Sequence, residues 1–186
     1  LELSGASVTD GISTPTPVIF PPAGSELCLD PFAAGTFNGE IVICRRGVIA
    51  RVEKSYNVAV GGAAGMILYN PALQGLATDN HFIPSIHLDG PEGTSLLDFM
   101  STHTGVMGTF TPGVATEVLG DMMASFSSRG GPGQSLGVSK PDITAPGVQI
   151  LAGHTPMPAT VVGGQPGELF QAIQGTSMSS PHIAGS

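Results

Sequence analysis

The sequence predicts an α/β fold, and three observations support this prediction. Two short apolar runs, "IVIC" at 41–44 and "GMILY" at 65–69, are bounded by turn residues and suit buried strands. The segment between them repeats apolar residues at helical spacing. The chain contains 27 Gly and 16 Pro among 186 residues, which is typical of short elements joined by many turns.

The first 40 residues are predicted to be turn-rich, because "STPTPV" and "FPPAGSE" interrupt short apolar pieces such as residues 18–20. The strand at 41–44 ends at charged residues and Gly47. A helix follows, stops at Gly61 and Gly62, and leads to the strand at 65–69, which completes a βαβ unit. The predicted apolar face of this helix consists of Ile49, Val52, Tyr56 and Val60.

Three further elements are predicted before residue 115. Ile86 and Leu88 alternate with His87, which favours a strand. Asp89 and Glu92 resemble a capping box at the start of a short helix. "GVMGTF" at 105–110 favours another strand. The predicted apolar face of the helix consists of Leu96, Leu97 and Met100.

The net charge and the lengths of the apolar runs argue against nucleic acids and membranes as partners. The net charge is −8, and an acidic chain repels the phosphate backbone of nucleic acids. No apolar run approaches the ~18 residues of a membrane span. We interpret the cluster of basic residues as a solvated face of helix and turn, with a site for an anionic partner as the alternative. The cluster consists of Arg45, Arg46, Arg51 and Lys54.

Cys28 and Cys44 are the only cysteines, and their number and spacing do not suggest a metal site. We predict a disulfide between them, which would close a loop of about 15 residues. A disulfide would imply an oxidising compartment. Two buried free thiols are the alternative.

The last residues of the chain, "GTSMSSPHIAGS", contain a candidate nucleophile. Gly175 and Thr176 would make a tight turn that exposes Ser177, and a helix would start there. Because the first N–H groups of a helix lack internal acceptors, the Ser177 amide could donate to an oxyanion. A serine nucleophile also needs a base and a group that orients the base. From the residue types alone, a serine between small residues is more often part of a turn or a helix cap than a nucleophile.

The string "GTSMSSPHIAG" closely resembles the nucleophile motif of subtilisin-like serine proteases, the subtilase family. "FSSRG" and "KPDITAPGVQILA" resemble two further blocks of that family, in the same order. The resemblance implies that Ser177 is the nucleophile and that its N–H is an oxyanion donor. Gly175, Thr176 and Met178 complete the motif. The sequence departs from the family at "SRGGPGQ", where an extra Gly lengthens a loop.

The first 115 residues resemble the protease-associated (PA) domain in "FNGEIVICRRG", "VEKSYNVAVGGAAGMILYN" and "LATDNHFIPSIHL". The resemblance implies that residues 1–115 form a small β-barrel-like sheet with flanking helices. Residues 116–186 would be the C-terminal-side segment of a subtilisin-like peptidase domain. This segment would be an incomplete piece of an α/β parallel-sheet domain, truncated after the nucleophile motif.

The Asp, His and oxyanion-Asn motifs of the subtilase family are absent from this sequence. The resemblance gives Asp142 and His182 structural roles. The chain begins without Met or a signal peptide, and both of its ends are expected to be cut. We therefore expect a fragment of a secreted, extracellular subtilisin-like endopeptidase that forms an acyl-enzyme on Ser177 but is inactive by itself.

The expected partners are a protein or peptide substrate and the rest of the peptidase domain, without a cofactor. The PA domain is expected to gate substrate access or to mediate protein contacts. Residues 120–186 would carry unpaired strand edges, so dimerisation through them is expected. The alternative function is a stand-alone PA module that binds protein or peptide and has no enzymatic role.

Overall fold

The computed structural model describes residues 1–131, 137–138 and 140–186. In "SRGGPGQ", where the sequence predicts a lengthened loop, residues 132–134 lie outside these ranges. The strands are β1 (Ile12–Ile19), β2 (Ile41–Arg45), β3 (Gly65–Tyr69), β4 (Ser85–Leu88), β5 (Met107–Phe110), β6 (Ile150–Gly153) and β7 (Phe170–Ile173). The α-helices are α1 (Arg51–Val60), α2 (Gly90–Thr102) and α3 (Thr176–Ala184), and a 3₁₀ turn covers Val161–Gly163.

The larger sheet has the strand order β4-β3-β2-β1-β5. Neighbouring strands among β1 to β4 run parallel, and β5 lies antiparallel to β1. Helix α1 connects the parallel strands β2 and β3, which confirms the predicted βαβ unit. The predicted α/β class is therefore confirmed.

The N-terminal residues link the two edges of the larger sheet. Ala6 exchanges two backbone hydrogen bonds of 2.9 Å with His87 on β4. A few residues later, Ile12 pairs with Phe110 on β5. The sheet is curled, and the N-terminal segment spans from one edge to the other, as expected for a barrel-like arrangement.

Strand β1 runs through "STPTPV", where the sequence predicts turns. Pro15 and Pro17 have no N–H to donate, and such residues are disfavoured inside a central strand. They are tolerated here because β1 pairs with β2 only at residues 18 and 19. The pairing of β1 with β5 also shifts register between Ile12 and Thr16. The prediction of turns is wrong at "STPTPV" because the partners of β1 are distant in sequence, and it is confirmed at "FPPAGSE", which contains turns.

Helix α1 buries a polar face, which its apolar spacing does not predict. Tyr56 is only half-buried, whereas Lys54 and Asn57 are buried. Lys54 Nζ donates to the carbonyl of Leu27. Asn57 Nδ2 donates to the carbonyl of Cys28 at 2.9 Å. The helix therefore covers a loop whose buried carbonyls require donors, and polar side chains supply them.

Helix α2 begins after its N-cap Asp89, as the sequence predicts. The Asp89 carboxylate accepts hydrogen bonds from the amides of Gly90 at 2.9 Å and of Gln74 and Gly75 at 3.0 Å. The predicted capping box requires the Asp89 carboxylate to accept from the amide of Glu92. This prediction is wrong, because the carboxylate binds the turn at 74–75 instead. The cap joins α2 to the loop that follows β3.

The apolar core lies on both faces of the larger sheet. Alternate residues of β2 belong to two buried clusters, Val42 and Cys44 to one and Ile41 and Ile43 to the other. Cys44 and Cys28 form a disulfide within the first cluster, with a sulfur–sulfur distance of 2.03 Å. The predicted apolar face of α2 is confirmed, since it packs against the second cluster through Leu96, Leu97 and Met100.

The smaller sheet consists of β6 and β7, which pair antiparallel with Leu151 opposite Ala172. The sequence predicts a piece of a parallel sheet here, but within the described residues these strands pair only with each other. Large apolar side chains on both strands stay exposed, with Leu151 at 71% and Phe170 at 59%. The smaller sheet thus lacks the two-sided burial typical of parallel strands.

Candidate active site

Ser177 lies at the start of α3, directly after the smaller sheet. Strand β7 ends at Ile173, and the chain turns at Gly175, whose φ of 155° is rarely adopted by other residues. The Gly175 amide donates to the carbonyl of Gly147 at 2.8 Å, which ties the turn to the chain entering β6. This turn leaves Ser177 exposed at the surface.

The backbone N–H of Ser177 is available to an oxygen ligand. Ser177 is the second residue of α3, and the first N–H groups of a helix have no helical acceptor. The neighbouring amide of Met178 donates to the carbonyl of Gly175 at 3.0 Å. Thr176, at the first helical position, is exposed. The positive end of the helix dipole favours negative charge at this point.

The described residues do not bring a general base to Ser177. Nδ1 of His182, further along α3, lies 2.8 Å from the carbonyl of Met178, so this ring contacts its own helix backbone. Nε2 of His154 lies 2.6 Å from the carbonyl of Gly163. Within residues 1–131, 137–138 and 140–186, neither a histidine nor a carboxylate side chain forms a hydrogen bond with Ser177.

A shallow, open depression lies beside Ser177, between the smaller sheet and α3. It offers a mainly apolar surface next to the serine. Its lining consists of Ile150, Leu151, Ala152, Ile173, Ser177, Met178, Pro181 and His182.

A second group of polar residues lies at the carboxyl ends of β2 to β4. Arg46 Nη1 lies 3.2 Å from Asn70 Oδ1. His87 is buried, and its Nε2 lies 2.8 Å from the same oxygen. Asn70 Nδ2 donates to Asp89 Oδ1 at 2.7 Å. Burial raises the pKa of Asp89, but hydrogen bonds from Asn70 and three amides lower it overall. The sequence signals this network only through single polar residues that follow each apolar run.

The basic cluster does not form the solvated face that the sequence predicts. Arg51 donates two hydrogen bonds to the Asp79 carboxylate, at 2.6 and 3.0 Å. Lys54 is fully buried, and this burial lowers its pKa to about 8. The interpretation is wrong for these two residues because they bind groups of the chain itself.

Two absences are found within the part of the chain that the structure describes. Its His, Cys, Asp and Glu side chains form no group of three that could hold a metal ion. Its helices include none with both the length and the apolar character needed to cross a membrane.

Two known protein families match parts of this chain. Residues 55–186, more than half of the chain, match the family described as "Subtilase family". The chain belongs to the subtilase family. Residues 9–96 match the family described as "PA domain", so this subtilase chain also carries a PA domain. The two matched ranges overlap, and the division at residue 115 stays a prediction.

Curated relatives come from plants and bacteria. This subtilase chain is 39% identical over 153 residues to "Subtilisin-like protease SBT5.4" of Arabidopsis thaliana, a match covering 79% of the chain and 20% of the relative. It is 38% identical over 176 residues to "Subtilisin-like protease SBT1.4" of the same plant, covering 87% and 22%. It is 35% identical over 159 residues to "Minor extracellular protease Vpr" of Bacillus subtilis (strain 168), covering 83% and 18%. The chain therefore spans about a fifth of the length of these relatives.

Proposed function

We propose that the protein containing this chain is a serine endopeptidase and that Ser177 is its nucleophile. The observation that carries the proposal is an exposed serine at the second position of a helix, with a free backbone N–H, in a chain of the subtilase family. Gly175, Thr176 and Met178 form the turn that presents it.

In the proposed reaction, Ser177 Oγ attacks the carbonyl carbon of a peptide bond in a protein or peptide substrate. Its proton passes to a histidine base supplied by the rest of the peptidase domain. The Ser177 N–H donates to the oxyanion of the tetrahedral intermediate. The base gives the proton to the leaving amine, and water then hydrolyses the acyl-enzyme at Ser177. The apolar depression beside Ser177 supports contact with a substrate side chain.

We propose that the chain by itself does not turn over substrate. The base, the aspartate that orients it and the oxyanion asparagine would all come from outside these residues. In a subtilisin, a member of the same family, removing the serine or the histidine alone lowers kcat by about 10⁶-fold. A serine without its base is expected to lose activity on that scale.

We further propose that the full-length protein is secreted. The disulfide between Cys28 and Cys44 supports an oxidising compartment, and one relative is named an extracellular protease. The proposed role of the PA domain is to gate substrate access or to mediate protein contacts. Exposed apolar side chains such as Leu151 support self-association of the isolated chain through residues 120–186.

The test of this function is hydrolysis of casein by the full-length protein. Ser177→Ala is expected to abolish hydrolysis, because the attacking oxygen is lost. Ser180→Ala, an exposed serine on the same helix, is the matched control and should retain activity. Equal activity of Ser177→Ala and the unmodified protein would rule out Ser177 as the nucleophile.

A second candidate function is a PA module that binds protein or peptide without catalysis. The observation that favours it is that both buried apolar clusters lie within residues 18–96. Limited proteolysis of the chain distinguishes the two functions when it is combined with peptide binding. A stable product ending near residue 115 that binds peptide, together with a full-length protein that does not hydrolyse casein, would favour the module.

A further inference from the structure

A short loop before β4 contacts the segment that carries Ser177. We call residues 78–81 the brace loop. Thr78 Oγ1 donates to Gln149 Oε1 at 3.0 Å. Asn80 Nδ2 donates to the carbonyl of Phe170 at 2.8 Å. Two side chains of one loop thus bind the residue before β6 and the first residue of β7.

A third contact runs in the opposite direction. The Gln165 side chain donates to the carbonyl of His81 at 2.5 Å. Gly164 packs so closely that a Cβ atom there would lie 3.3 Å from the carbonyl of Asn80. The φ of Gly164 is 87°, which also favours glycine. The brace loop and the chain between β6 and β7 therefore fit together closely.

The brace loop is itself held by α1. Its Asp79 pairs with Arg51 through two hydrogen bonds, at 2.6 and 3.0 Å. The amide of Phe82 donates to Ser55 Oγ at 3.1 Å. Burial raises the pKa of Asp79, but the hydrogen bond and the charge of Arg51 lower it overall, so the carboxylate is ionised at neutral pH. The brace loop is therefore held by α1 on one side and contacts the smaller sheet on the other.

The residues that receive these hydrogen bonds lie where each strand of the smaller sheet begins. Gln149 precedes β6, and nearby Gly147 accepts the hydrogen bond from the Gly175 amide at 2.8 Å. Phe170 is the first residue of β7, which leads directly into the turn at Gly175. Each brace contact therefore fixes one of the two segments that meet at the turn before Ser177.

We propose that Thr78 and Asn80 are positioning residues for Ser177, through which the PA domain braces the nucleophile turn. The inference rests on the proposed role of Ser177 as nucleophile. A two-stranded sheet is marginally stable by itself, and within the described residues β6 and β7 have only each other as strand partners. The brace loop adds two side-chain hydrogen bonds at the beginnings of these two strands.

The test uses the full-length protein and a fluorophosphonate probe, whose phosphorus forms a bond to Ser177 Oγ as fluoride leaves. Asn80→Ala and Thr78→Val each remove one hydrogen bond, and each is expected to slow labelling of Ser177 by about five- to tenfold. The same variants should lower kcat for a peptide substrate by a similar factor and leave KM within about twofold, because the turn moves and the depression remains.

Two comparisons separate positioning from general damage to the fold. Thr78→Ser keeps the hydroxyl and should restore the labelling rate that Thr78→Val loses. Asn38→Ala, on an exposed turn of the PA domain, should label at the rate of the unmodified protein. If Asn80→Ala does not fold, Thr78→Val decides by itself, because it preserves the volume of the buried side chain.

The outcomes distinguish this inference from the proposed function. If Ser177 of the unmodified protein takes no label, the role of Ser177 as nucleophile fails. If it takes label, and Asn80→Ala and Thr78→Val react at the same rate, the brace is refuted while the nucleophile stands. Equal slowing in Asn38→Ala, or no rescue by Thr78→Ser, would also overturn the brace.

Discussion

Stability at acid pH should depend on His87, whose ring is buried beneath the loop after β3. Its Nε2 lies 2.8 Å from Asn70 Oδ1, and its Nδ1 accepts the hydrogen bond from the Ala77 amide at 3.1 Å. Nδ1 also lies 3.1 Å from the carbonyl of Ala77, so protonation at Nδ1 exchanges the hydrogen bond from the Ala77 amide for one to the Ala77 carbonyl. Burial is the main cause that lowers the pKa of His87 from 6.5 to about 4. The hydrogen bond with Ala77 and the charge of Asp79 raise this pKa, and the charges of Arg51 and Arg46 lower it.

The sign and size of the effect follow from linkage. Because the pKa of His87 in the folded state lies below its ordinary value of 6.5, the unfolded chain binds the proton first as the pH falls. The stability that the neutral ring contributes is complete above pH 6.5 and is lost between pH 6.5 and about 4. Lowering the pH from 7 to 4.5 should therefore cost about 2–3 kcal/mol of unfolding free energy through His87.

Urea unfolding at the two pH values measures this cost. His87→Gln keeps an amide donor and acceptor but does not titrate, so the titratable groups that are not coupled to His87 contribute equally to both proteins, and only Asp79 and His81 beside it change with the substitution. The unmodified chain should lose about 2–3 kcal/mol more than His87→Gln between pH 7 and 4.5. Equal losses in the two proteins would refute the link between burial of this ring and acid sensitivity.

Three further changes in stability are expected, each measured by urea unfolding. Cys28→Ser removes the disulfide and should lower the free energy of unfolding by about 3 kcal/mol. Adding a reductant should not change the stability of this variant, and a large change would refute the prediction. Lys54→Met removes the donor of the buried Leu27 carbonyl and should lower the unfolding free energy at pH 7 by about 1–3 kcal/mol, whereas an increase would show that burying the ammonium costs more than its hydrogen bond contributes. Leu96→Ala opens a cavity under α2 and should cost about 2–4 kcal/mol, whereas Leu97→Ala at the half-buried neighbouring position should cost less.

The sequence predicted the secondary-structure elements that depend on residues close together in the chain. The apolar runs at 41–44 and 65–69 and the cap at Asp89 each specify one element through residues close in sequence. Strand β1 could not be predicted in this way, since its prolines are tolerated only because of where distant strands pair with it. Burial of Lys54 likewise depends on the carbonyl of Leu27, which lies in a distant loop beside the disulfide.

The part of the candidate site that is formed by residues adjacent in sequence could be predicted. The motif around Ser177 is contiguous, and the sequence alone places this serine at a turn that begins a helix. The brace loop leaves no such trace, because Asn80 and Phe170 are 90 residues apart and the bond uses a main-chain carbonyl. Contacts of this kind become visible only when the chain is folded.

The most direct test of the central claim is fluorophosphonate labelling of the full-length protein and of this 186-residue chain, with the labelled peptide located by mass spectrometry. We expect label on Ser177 in the full-length protein and none in the isolated chain, although the chain is folded. Label on another residue of the full-length protein, or none at all, would contradict the assignment of Ser177 as nucleophile. Label on Ser177 in the isolated chain would show that a base reaches it without the rest of the peptidase domain.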